Sequence, residues 1–277
     1  MGYNMKMDNI ELRSMATTRA TLEKAYDTQF NTELPIELQR TSCGIAALSS
    51  ALKSLRIIPF EVPFPDFVAS FISGANYTYP TIGKLWKYKG KELYIPVKFE
   101  KSAVAPNLLM KAHELVASLS GKETSVKRID NNQLPWIPTF TLETGFDHRG
   151  LNGFFALRGI AAQARLVESP DFEVFINEAR QFDRSPKPSA GEKYRVLMSV
   201  DQKKLGYPMM GLIGVHISTH IICVHDIAMV GDTPVALFTD PAVHDRNSAI
   251  MIRSLESLAF AYAGKFSIIT NKTESNS

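Results

Sequence analysis

The clearest periodic pattern in the chain lies in QRTSCGIAALSSALKSL, residues 39–55. Apolar side chains recur at Ile45, Leu48, Leu52 and Leu55, spaced three, four and three apart. That spacing predicts a helix with one face turned to a core. Thr41 and Ser42 stand where an N-cap would be, and Pro59, Pro63 and Pro65 bar continuation beyond it. Further helices are expected at ATTRATLEKAYDTQF (16–30), PFPDFVASFI (63–72), AVAPNLLMKAHELVASLS (103–120), LNGFFALRGIAAQAR (151–165) and SPDFEVFINEARQF (169–182), the last capped by Ser169. GANYTYPTIG (74–83) reads as a loop, and TSVKRIDNNQLPWIPTF (124–140) as strand and loop.

After RSPKPSAGE (184–192), a Pro-, Ser- and Gly-rich linker, the pattern changes. YRVLMSV, HIICVHDIAMV, PVALFTD and KFSIIT carry the β-branched runs of strands, and GDTP between two of them reads as a hairpin turn. Helices followed by strands, without alternation, point to an α+β fold. The expected organisation is a helical extension over 1–30 and a single domain over 31–277. That domain has a helical lobe of about 31–185 and a β lobe of about 193–270.

Composition narrows the function. The 277 residues hold 31 basic and 28 acidic side chains, a balance that excludes the strong positive field of a nucleic-acid binder. The densest basic cluster, KYKGK at 87–91, is a candidate anion site or an ordinary solvated surface. With two cysteines, Cys43 and Cys223, a disulfide framework is not expected. MGYNMKMDNI has no apolar core, so a signal peptide is not expected, and no apolar run approaches the length of a membrane span. A cytoplasmic location is expected.

Cys43 opens the periodic helix. A helix N-terminus carries unpaired N–H groups and partial positive charge, which favour a thiolate and can hold a developing oxyanion. Gly44 is expected to let a substrate come close to the backbone. Cys43 is thus either a nucleophile or a small buried thiol, and local sequence does not decide between them. A nucleophile needs a base and an orienting group. Of six histidines, His113 falls mid-helix, and His148 and His244 fall in loops. His220 opens the strand IICVHDI, and the returning strand VALFTD ends at Asp240, beside the start of the first. The two residues can therefore be neighbours. His216 is a second candidate base and could share a strand face with His220, which raises a metal pair, but no third ligand has suitable spacing. His225 should face the other side of the sheet, and Cys223, flanked by Ile222 and Val224, should be core. Gln39, four residues before Cys43, is either a second oxyanion donor or a solvent-facing amide. No cofactor motif is present.

The order Gln39, Cys43-Gly44, His220, Asp240-Pro241 resembles the papain-like cysteine peptidase superfamily. It is most similar to the branch holding the bacteriocin-leader peptidases and phytochelatin synthase. In that branch Cys-Gly opens an apolar helix, as in QRTSCGIAALSSAL. A His opens a hairpin that ends in Asp-Pro, as in HIICVHDIAMVGDTPVALFTDPA, and SLESLAFAYAGKFSIIT is similar to the closing helix and strand. GFFALRGIAAQARLVE and SPDFEVFINEARQF resemble consecutive helices of phytochelatin synthase. The resemblance implies a papain-like fold with a Cys43–His220–Asp240 triad, Gln39 as oxyanion donor, and a peptide or small amide substrate. The activity it implies is thiol-dependent hydrolysis or acyl transfer, or γ-glutamyl peptide transfer as in phytochelatin synthase. A catalytically inactive peptide-binding module of the same fold is the other expectation.

Overall fold

The computed structural model describes residues 19–73, 81–99, 140–141, 145–146, 148–184, 194–205 and 220–272. The expected helix over 103–120, the linker over 185–192, and His113 and His216 lie outside them. The described residues form a mixed α+β structure of seven helices and a six-stranded antiparallel sheet, with two smaller hairpins. The helices are α1 (Arg19–Ala25), α2 (Ile36–Thr41), α3 (Cys43–Ser54), α4 (Phe64–Ser73), α5 (Leu151–Arg158), α6 (Phe172–Arg184) and α7 (Leu255–Ala261). Strands β1 (Thr81–Tyr88) and β2 (Lys91–Phe99) form one hairpin, and β3 (Phe140–Thr141) and β4 (Gly145–Phe146) the other. The large sheet runs in the order β5 (Ala162–Glu168), β10 (Tyr262–Asn271), β6 (Tyr194–Val200), β7 (His220–Val230), β8 (Thr233–Thr239) and β9 (Ile250–Ser254).

Alternation along these strands divides the core in two. Leu197, Ile221, Cys223 and Ile269 join α3, α4 and α5 on one face of the sheet. Val196, Met198, Ile222, Val224, Phe238, Phe266 and Ile268 face α6 and α7 on the other. Leu22 of α1 packs on Val235, Leu237 and Ile252 of β8 and β9.

Helix α3 is the hub of the first layer. Its apolar positions face the core as the spacing predicts, but every one of its twelve residues is buried, polar ones included. Lys53 survives there because the Asp27 carboxylate meets its ammonium at 2.6 and 2.9 Å and also accepts from Ser49 Oγ at 2.6 Å. At the C-terminal end of α3, Ser54 Oγ accepts from Arg195 Nε of β6 at 2.8 Å, tying the helix to the sheet.

Three expectations are corrected. The helix expected over 151–165 ends at Arg158, because Gly159 turns left-handed (φ 63°) and stops it. AQARLVE then alternates between buried and exposed and pairs with β10, so the region expected to be a helical lobe supplies an edge strand of the main sheet. The loop expected over 74–83 yields to strand β1 at Thr81. KYKGK forms the β1–β2 turn, where Lys89 pairs with Asp66 at 2.7 Å and Lys87 with Glu92 at 3.3 Å, so these two lysines already have carboxylate partners. The helix expected over 16–30 is seen as α1, ending at Ala25, and the chain continues as irregular backbone over Tyr26–Thr28 into a turn at Gln29 and Phe30.

No described helix is long and apolar enough to cross a membrane.

Candidate active site

Cys43 is the first residue of α3. Ser42 takes the N-cap position (φ −88°, ψ 15°), and its carbonyl accepts from Ala46 N at 2.9 Å. Neither hydroxyl expected to cap the helix does so. Ser42 makes no side-chain cap bond, and Thr41 Oγ1 donates back to Glu37 O at 2.9 Å. The first N–H groups of α3 are therefore not consumed by a capping side chain.

Strand β7 starts at His220, and its partner β8 ends at Thr239, so the antiparallel return brings Asp240 beside the imidazole. His220 Nε2 meets Asp240 Oδ1 at 2.7 Å. The same carboxylate oxygen accepts from Ala242 N at 2.7 Å, an Asx turn that fixes the side chain over its own loop. Cys43, at the start of α3, is near enough to His220 to raise the ring's proton affinity. With Nε2 engaged by Asp240, Nδ1 is the ring nitrogen left for the thiol.

Burial is the largest influence on the His220 ring and works against its charge; the Asp240 carboxylate, by charge and hydrogen bond, and Cys43 outweigh it. The imidazole is pushed up to about 10 and is a cation at neutral pH. All three side chains are enclosed: Cys43 is 6% exposed, His220 3% and Asp240 0%.

The structure does not bring the Gln39 amide to Cys43. Its Nε2 donates to Leu34 O at 2.8 Å, on the N-terminal side of α2, whereas Cys43 follows the C-terminal end of that helix. Side chains on a helix lean toward its N-terminus, and Gln39 follows that lean away from the thiol. Nor is Gly44 open to a substrate as expected. A Cβ at this position would lie 2.4 Å from Phe146 Cγ and Cδ1 and 2.5 Å from its Cβ. Glycine is present so that β4 can lie on the first turn of α3.

His225 occupies a bulge in β7, where the β7–β8 register shifts between Val224 and Asp226. It is buried on the face of Cys223, accepts or donates at Thr239 Oγ1 (2.9 Å), and is held well below its ordinary pKa by burial and by Arg195. Burial pushes the Cys223 thiol up to about 12, with Arg195 opposing it. Cys223 is core, as its apolar neighbours indicate. His148 bridges Ser267 Oγ (3.0 Å) and Ser199 Oγ (2.9 Å) between β10 and β6, and His244 stacks on Phe30 with ring centroids 4.4 Å apart.

Sequence reasoning passed over Tyr26 and Asp27. Each acts through a partner distant in the chain, and no local spacing signals such a contact. Compared with known proteins, the chain matches no family model and no curated protein.

Proposed function

We propose that this chain is a thiol hydrolase or acyl transferase of papain-like design, acting on a peptide or small amide bond. What supports this reading is the 2.7 Å contact between His220 Nε2 and Asp240 Oδ1, with Cys43 close enough to act on the same ring.

In the reacting state the thiol proton already resides on His220 as an imidazolium–thiolate pair, and Cys43 Sγ attacks the substrate carbonyl from that pair. The imidazolium so formed is stabilised by Asp240, which also fixes the ring's orientation. The tetrahedral oxyanion is met by the uncapped N–H groups at the start of α3. His220 then gives its proton to the leaving amine as the C–N bond breaks, leaving a thioester on Cys43. Water, or a second amine, attacks that thioester, and the thiol and product acid or new amide are released.

Intact-mass analysis after incubation with a library of peptides and small amides tests the reading. An adduct localised to Cys43, lost in Cys43→Ala, is the expected result. Binding without any adduct or turnover would overturn it in favour of an inactive peptide-binding module. The identity of a trapped acyl group would separate γ-glutamyl transfer from general amide hydrolysis.

A further inference from the structure

The segment Tyr26–Phe30 is joined to three parts of the site. Toward α3, Asp27 holds Lys53 and Ser49 by its carboxylate, and its N–H donates to Ser50 Oγ at 3.0 Å. Toward α2, Gln29 Nε2 donates to Gln39 O at 2.9 Å. Toward the loop after β8, the Tyr26 hydroxyl lies 2.9 Å from Asp240 O and also against Val243 O. Thr28 Oγ1 and Gln29 N donate to Pro241 O at 3.2 and 3.0 Å, and Phe30 stacks on His244. One short stretch thus spans the helix that carries Cys43 and the loop that carries Asp240.

We propose that Tyr26–Phe30 is a strap that sets the Asp240 carboxylate against His220, with the Tyr26 hydroxyl as its principal positioning group. The Asx turn orients the Asp240 side chain relative to its own backbone. Nothing in that turn fixes where the backbone sits relative to α3, and the strap supplies this. Both successive carbonyls of the loop, at 240 and 241, receive donors from the strap. The strap's own place is fixed by a buried ion pair on the nucleophile's helix. The ionisable groups concerned are few. Asp240 and Cys43 face His220, while Asp240 and Asp27 face Tyr26.

This inference rests on the proposed triad, and two readouts on the full-length chain keep the two ideas separable. One is the rate of Cys43 alkylation by iodoacetamide across pH; the other is the imidazole titration of His220 by NMR. Tyr26→Phe removes a single hydroxyl. It is expected to slow alkylation at neutral pH by about threefold to tenfold, the effect of losing one hydrogen bond, and to lower the His220 titration. The acid limb of the alkylation profile should move upward, because a less well-held imidazolium stabilises the thiolate less. Thr28→Val, which loses one donor to Pro241 O, should shift both readouts less and in the same direction, and it serves if Tyr26→Phe does not fold. An unchanged His220 titration and acid limb in these variants overturns the strap even if the wild type turns over substrate. A lowered His220 titration in Tyr26→Phe upholds the strap even if the wild-type thiol proves unreactive, in which case only the catalytic reading falls.

Discussion

Asp27 and Lys53 form an ion pair at 2.6 Å with the ammonium almost wholly out of solvent. Removing one member of such a pair leaves the other charge stranded. Lys53→Met is expected to cost about 3–5 kcal/mol of stability. The loss should shrink as pH falls. Burial raises the Asp27 carboxyl above its ordinary value, and Lys53 is the chief influence opposing that rise. A carboxyl with a raised folded-state pKa binds its proton more tightly folded than unfolded, so its stabilising protonation is lost as pH climbs through that raised value. Without Lys53 the rise is larger and the window extends upward. Thermal melts of wild type and Lys53→Met from pH 5 to pH 8 should converge toward the acid end.

Asp240→Asn should reverse the titration of His220. Without the carboxylate, burial dominates, and the ring should fall below its ordinary 6.5 instead of standing at about 10. A ring with a raised folded-state pKa contributes its full stability below 6.5 and loses it as pH rises toward 10. The melting-temperature gap between wild type and Asp240→Asn should therefore be wide near pH 6.5 and narrow as the solution becomes alkaline. Imidazole NMR titration of both proteins checks the direction.

Gly44→Ala should be costly although alanine is the better helix former. The new methyl would overlap Phe146 down to its Cβ, so rotating the ring cannot relieve it. Overpacking of this kind costs about 1–3 kcal/mol. Gly44→Ala combined with Phe146→Ala should recover part of that loss. A double-mutant cycle of chemical denaturation measures the coupling.

The two cysteines should differ in native labelling. Cys43 opens a helix beside a charged imidazole, whereas Cys223 is fully enclosed with its thiol pushed up to about 12. Iodoacetamide at low dose should modify Cys43, and Cys43→Ala should remove the label. Peptide mapping that finds equal modification of Cys223 would contradict this.

Much of this arrangement could be read from the chain. The three-four-three spacing located α3, and the two hairpin strands around GDTP placed His220 beside Asp240, because register and turn length are local properties. The first part of this strand, AQAR, reads as helix because the residues before it are helical and the break depends on Gly159 adopting a positive φ. Gln39 is a candidate by its separation from Cys43. Its direction depends on a second short helix, α2, that ends just before Ser42. Tyr26 and Asp27 carry no local signal at all, since their partners lie on α3 and in the loop after β8.

The helix that opens with Cys43 is made before His220, Asp240 and the Ala249 carbonyl that accepts from Asp240 N. Chains leave the ribosome from the N-terminus at about 5–20 residues per second. A growing chain therefore displays Cys43 for many seconds with neither His220 nor Asp240 yet in existence. The proposed triad cannot assemble in a product truncated before β7. Any fragment that stops short of the last strands carries an unassisted thiol.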